Sequence, residues 1–371
     1  MRLFLFELKK IAWTKKFLVI LLILFCSILF LFIRNSLFAD YAQEQKNEEI
    51  ALFIETSSTK DFNYTNEIET IGSNEDTERK QELNLKVWNL AKELRNSLSA
   101  EDWRRTLEIE NSLLIAIRNY KATEEDYPIS EDEISYRLAM NHTLLELGIA
   151  PEYENYSTAF PNFLKQVVDV FINYGGLLIA LLLIGEIVTR EFENKSIRLL
   201  FTLPLSRPKL IWSKYFSALA TFFFTFIFVI ALGMSVGKIF GADGSFAYPV
   251  LIEKEGQFFY MPTIDYILYV ILLFAILLVF VTALYMFYSL VFKHLLATLA
   301  ATVATLVGGY QLGNLTNWAP FSWVNPFQYI FPIEAILYQN NELFYQGISV
   351  TLFLTLLLLV ASIIRVRQNL E

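Results

Sequence analysis

Six stretches of this chain run without a charge for about the length a helix needs to cross a bilayer core, roughly 17–25 residues. They are Phe17–Ile33, Val170–Gly185, Tyr215–Gly237, Tyr266–Phe292, Leu295–Gly313 and Leu343–Ile364. Charges fence them: Lys16 and Arg34 bound the first, Asp169 and Glu186 the second, and Arg365 closes the last. The turn between the fourth and fifth is only Lys293 and His294. Charged residues make up 18% of the chain, against about a quarter in a soluble domain. The first run is too long for the apolar core of a signal peptide, about 7–15 residues, and no small-residue cleavage site follows it. The pattern predicts an all-α integral membrane protein with six transmembrane helices.

Lysine and arginine in the short flanks set the orientation. Residues 1–16 carry five, 189–214 six, the 293–294 turn one and the tail two, 14 on one side. The opposite short loops, 238–265 and 314–342, carry only Lys238 and Lys254. Both termini are therefore expected in the cytoplasm of a multi-pass cell-membrane protein. Low Cys with high Phe, Ile, Lys and Asn usage points to a Gram-positive bacterium.

The expected segments are an amphipathic interfacial helix over 1–16, transmembrane helix 1 over 17–33 and an extracellular domain over 34–166. Transmembrane helix 2 follows over 167–188, a cytoplasmic loop over 189–213, and helices 3–6 over 214–371. The extracellular segment has 14 basic and 26 acidic residues. It reads as helical: "SAED" (Ser99–Asp102) and "SEDE" (Ser130–Glu133) have the form of capping boxes. Each is followed by helical apolar spacing, Leu107, Ile109, Leu113, Leu114 and Ile117, then Ile134, Leu138, Leu144 and Leu145. Residues 56–76 read as a loop.

In "MRLFLFELKKIAWTKK" an apolar face with Leu3, Phe4, Phe6, Leu8 and Ile11 opposes a lysine-bearing one, which suits a helix on anionic inner-leaflet lipid. "WAPFSWVNPFQYIFPIEAIL" (318–337) is too apolar for a wet loop and too broken by proline for a span. A re-entrant segment over 318–340, packed on protein, fits it. Gly309 and Gly313 form a GxxxG suited to close helix contact.

Several chemistries are excluded. Cys26 is the only cysteine, so no disulfide or thiol pair exists within one chain, and His142 and His294 form no metal motif. "GMSVGKI" (Gly233–Ile239) is one residue short of a Walker A spacing and has Ile where Ser or Thr should hold magnesium. Asp169 and Glu186 lie at opposite interfaces and read as hydrated or paired ends, not a proton relay. Nothing suggests nucleic acid.

The loop "TREFENKSIRLLFTLPLSRPKL" (189–210) carries seven charges, more than a connector needs. Ser196 or Asn194 can cap a short helix there, and Pro204 and Pro208 stop it. Leu199, Leu200 and Leu203 supply an apolar face, and Glu191, Lys195, Arg198 and Arg207 offer pairing sites. The run of Asn194, Ser196, Ile197, Leu199, Leu200, Thr202, Pro204, Leu205, Ser206 and Arg207 resembles the conserved loop of permeases of ATP-binding-cassette exporters of the second (ABC-2) type. It departs at Asn194, where that family often has glycine, and at one extra residue, Lys195.

The resemblance extends to the six spans, the N-terminal amphipathic helix and the proline-rich segment before the last span, and leaves only 34–166 unconstrained. It implies two permease protomers, identical or different, and two ATPase subunits carrying ATP and Mg²⁺. It also implies that the loop forms a coupling helix seated on the ATPase, so this chain is not itself an enzyme. An amphipathic peptide, lipid-like or drug-like substrate would pass aromatics such as Phe222, Phe223, Tyr269, Phe274, Tyr285 and Tyr310, which could equally face lipid. The rival readings are a membrane-anchored sensor and a secondary transporter. The second would need midplane charges and paired halves, and neither is found.

Overall fold

The computed structural model describes residues 2–98, 102–193, 207–254, 256–315, 325–337 and 346–368. The amphipathic helix α1 (Arg2–Ala12) ends at Thr14, whose hydroxyl accepts from the Phe17 amide at 3.3 Å and starts α2 (Lys15–Ile71). At 57 residues, α2 leads from the first apolar run into the polar region without a break. Residues 56–71 are therefore helix, against the loop reading, and only Gly72–Asn74 turns the chain. In the polar "TSSTKD" run Ser58 and Thr59 face outward, while Ile50, Phe53, Ser57 and Tyr64 keep helical spacing on the buried side.

Three more helices complete the polar domain: α3 (Glu75–Ser97), α4 (Trp103–Lys121) and α5 (Glu131–Leu147). Their apolar stripes meet those of α2 in a core that includes Val87, Leu94, Leu113, Leu114 and Ile117. Ser130 caps α5 by accepting from the Glu133 amide at 3.1 Å, as read from the sequence. Asp102 caps α4 by accepting from the Arg105 amide at 3.2 Å, and Ser99, the expected cap, lies outside the described residues.

The membrane bundle follows. Helices α6 (Phe160–Phe171) and α7 (Tyr174–Glu193) meet at a 60° bend. Asn173 makes that corner: its side-chain oxygen accepts from the Gly175 amide at 2.8 Å, and a Cβ on Gly176 would strike the Phe171 carbonyl. Helix α8 (Arg207–Phe240) leads to an antiparallel hairpin, β1 (Pro249–Lys254) paired with β2 (Gln257–Pro262), with Val250 opposite Met261. The hairpin was unforeseen. Next come α9 (Thr263–Phe292), α10 (Leu295–Leu315), a 3₁₀ turn (Pro326–Ile330), α11 (Pro332–Leu337) and α12 (Gln346–Gln368). Among the described residues five helices are long and apolar enough to cross a membrane, and the bent α6–α7 pair would make a sixth.

The proline-rich segment, where described, is folded into the bundle: Tyr329, Ile330 and Ile336 are buried. Gly309 serves this packing, since a Cβ there would lie 2.3 Å from the Phe327 ring. The close neighbour of Gly309 is thus a side chain of the same chain. A close helix contact uses Gly233 and Gly237 of "GMSVGKI". There α6 presses Val167, Phe160 and Phe163 to within 3.0–3.2 Å of where Cβ atoms would stand.

Candidate functional site

The charged loop is bounded by α7 and α8, and each is fixed in the bundle at that end. Residues 194–206 lie outside the described residues, among them Asn194, Lys195, Arg198, Leu199, Leu200, Leu203 and Pro204. Glu191 falls within α7. Arg207 and Pro208 open α8, so Pro208 sits in the first turn of a helix, where its fixed φ and missing N–H cost nothing.

On the α7 side, Glu193 accepts from the Leu295 amide at 2.7 Å and so caps α10. One helical turn deeper, Thr189 donates to the Gly185 carbonyl at 2.6 Å, and Tyr285 of α9 donates to the same oxygen at 2.8 Å. Gly185 admits this crossing because a Cβ would lie 2.8 Å from Leu295 Cδ1 and 3.5 Å from the Tyr285 hydroxyl. The end of α7 is thereby tied to the turn between α9 and α10.

On the α8 side, Lys214 Nζ lies 3.5 Å from Glu7 Oε1, with both side chains almost wholly buried. Lys10 approaches the same carboxylate at 4.0 Å, and Ser217 donates to the Phe4 carbonyl at 3.3 Å. Helix α1 thus lies against the start of α8. Burying an ion pair is costly unless geometry and further hydrogen bonds compensate, so this contact specifies where α1 docks. Sequence reading missed Glu7. The available signal was a lone acid in a basic helix, with a lysine one position before an uncharged run.

The aromatics expected along a path do not converge. Phe222 and Phe274 share a narrow cleft of about 40 Å³ with Phe171, Phe226 and Leu278, room for about one water. Tyr285 serves Gly185 instead. Tyr310 donates to Glu334 at 2.9 Å and lies against Phe331, while Phe223 and Tyr269 pack at the edge of the bundle core.

At the opposite end, Asp169 accepts from the Tyr266 hydroxyl at 2.8 Å and lies 3.5 Å from Lys165, a paired end as expected. There the polar domain joins the bundle. Asn35 of α2 is fully buried and donates to Gln166 at 2.5 Å and to the Ser157 carbonyl at 3.0 Å. Arg34 donates to the Asn155 carbonyl.

A family model described as "ABC-2 family transporter protein" matches residues 1–366. The chain belongs to the ABC-2 transporter family. No curated protein and no solved structure matches it. As an ABC-2 transporter it is a multi-pass membrane transport component, and membership implies partnership with an ABC ATPase subunit.

Proposed function

We propose that this ABC-2 transporter is the permease subunit of an ATP-driven exporter, working as a dimer with two ATPase subunits that bind the 194–206 stretch as a coupling helix. ATP and Mg²⁺ reside on those partners. Both termini and the 189–213 loop face the cytoplasm of a Gram-positive cell, six spans cross the membrane, and 34–166 stands outside. The proline-rich 318–340 segment dips in from that outer side. The cargo is an amphipathic peptide, lipid-like or drug-like molecule.

One observation carries this reading. The 194–206 stretch is strung between two anchored helix ends, Glu193 on Leu295 and Lys214 on Glu7. A push delivered to these two helix ends reaches α7, α8, α10 and α1 together. The lysine and arginine count supports the orientation.

The test is co-purification of the ATPase and transport-linked ATP hydrolysis in proteoliposomes. Buried interface anchors carry about 2 kcal/mol or more each, and exposed charge pairs about 1 kcal/mol or less. Leu200→Asp with Leu203→Asp should therefore release or uncouple the ATPase, Arg198→Glu should have an intermediate effect, and Lys195→Ala should do little. Full docking and coupling in the double variant would remove the coupling-helix assignment. Orientation is tested in a Cys26→Ser background: a cysteine at Ser73, exposed at the tip of the polar domain, should react with an impermeant thiol reagent on intact cells. One at Ser206 should not.

A further inference from the structure

The polar domain holds a cleft of about 720 Å³, bounded by α2, α4, α5, the segment 151–154 and Tyr248 just before β1. Small-molecule sites fall in the range of about 300–1,000 Å³. Its walls combine two chemistries. Trp103, Leu107, Tyr136, Met140 and Leu144 form an apolar and aromatic side. Four carboxylates, Glu49, Glu110, Glu152 and Glu154, face two bases, Lys46 and Arg137.

The bases are already engaged. Lys46 lies 3.0 Å from Glu110, and Arg137 makes a two-pronged pair with Glu49 at 2.8 and 2.9 Å. Glu152 is held by neutral donors, Ser157 at 2.5 Å and Asn162 at 2.6 Å, and Glu154 accepts from Tyr136 at 3.3 Å. Neither Glu152 nor Glu154 has an ion-pair partner among the described residues. The cleft thus keeps an uncompensated negative charge beside an aromatic wall.

A second, independent feature points to a ligand. Asn141 lines the cleft at 6% exposure, and its side-chain nitrogen has no hydrogen-bond partner among the described residues. A buried amide donor left unpaired costs about 1–3 kcal/mol, so it is a donor awaiting an acceptor.

We infer that this cleft binds a cationic amphipathic ligand, a basic peptide segment with an adjoining apolar side chain. Its ammonium or guanidinium group pairs with Glu154 and Glu152, its apolar body lies on Trp103, Leu107 and Met140, and a carbonyl accepts from Asn141. That this ligand is the exporter's cargo rests on the function proposed above; the binding itself does not. A ligand seated here touches α2, continuous with the first apolar run, and Tyr248, whose carbonyl accepts from the amide and hydroxyl of Thr263 at the start of α9.

The experiment is calorimetric titration of the full-length chain in lipid nanodiscs, without ATPase. The probe is arginyl-phenylalanine amide, compared with its neutral acetyl-citrulline analogue. The cation is expected to bind at least about tenfold more tightly, the worth of one charge-assisted contact. Glu154→Gln keeps the shape and should weaken it by about tenfold. Asn141→Leu should also weaken binding while leaving the melting temperature unchanged or raised, because it removes an unpaired buried group. Equal affinity for the two probes, unchanged affinity in Glu154→Gln, or no saturable binding up to about 10 mM would overturn the inference. None of these outcomes bears on ATPase docking, and release of the ATPase by the loop variants does not bear on the cleft.

Discussion

In the polar domain, side chains reach from one helix to the next. Tyr127 joins Ser57 at 3.0 Å and donates to the Phe53 carbonyl at 2.9 Å, Tyr64 meets Tyr120 at 2.6 Å, and Asn84 donates to the Ser57 carbonyl at 2.7 Å. In the membrane bundle the hydroxyls turn inward instead. Thr189, Thr221, Thr225, Thr282, Thr302 and Thr355 each donate to the carbonyl four residues back on their own helix. Water is not there to satisfy a displaced hydroxyl, so each is satisfied locally. The domain is cross-linked, whereas the helices of the bundle can slide past one another with these bonds intact. Several bundle cross-links, Glu7–Lys214, Tyr285–Gly185 and Glu193–Leu295, sit at the end that carries the 194–206 stretch. The contrast suits a transporter whose polar domain keeps its shape while its spans shift.

The strongest way to break this contrast is to cut a bundle cross-link. Lys214→Met leaves the Glu7 carboxylate buried beside a thioether and should cost about 3–5 kcal/mol, seen as a lower melting temperature in detergent and faster proteolysis of α1. Adding Glu7→Leu should recover much of it. If Lys214→Met melts like the parent, α1 is not held by this pair.

Next is the domain network. Tyr127→Phe removes the hydroxyl that bridges Ser57 and the Phe53 carbonyl, and should cost about 0.5–1.5 kcal/mol in domain stability followed by hydrogen exchange. A smaller effect is expected from pH. Burial pushes the Glu125 carboxyl up, but the Lys60 and Lys80 ammonium groups outweigh it and hold it below its ordinary 4.5. A depressed carboxylate stabilises the fold above its unfolded value, and that contribution is lost as pH falls through the lower, folded value. Lys80, raised above 10.5 chiefly by its bond to Asp76, stabilises below 10.5 and loses its contribution as pH rises through the higher value. Domain stability should therefore be flat between those limits and fall outside them, and Glu125→Gln should remove the acid limb.

The smallest effect is expected within the bundle. Thr302→Val deletes only an own-helix bond and should cost about 0.6 kcal/mol or less. A loss as large as that of Tyr127→Phe would erase the distinction between the two regions.

Much of the bundle was legible because a lipid-facing helix needs a long uncharged run, and such runs stand out in sequence. The sequence reading ends the first span at Arg34 because the apolar pattern of α2 changes character there: in lipid every face is apolar, in water only one is. The β1–β2 hairpin had its signals, "VLI" and "FFYM" around a Lys-Glu-Gly turn with prolines at both ends. They are passed over when 238–265 is read only as a short loop between two spans. The loop motif led to the family, whereas Glu7 and the Asn141 cleft needed tertiary proximity that spacing does not encode.

The continuity of α2 has a mechanical consequence. At 1.5 Å per residue its 57 residues form a rod of about 85 Å, of which roughly 55 Å lies beyond Arg34. With Asn35 as fulcrum, a tilt of about 5° in the membrane segment would swing the far end by about 5 Å. A displacement at the α1 end of the rod too small to open a passage would thus arrive at the tip, near Ile71, as a stroke the size of a side chain.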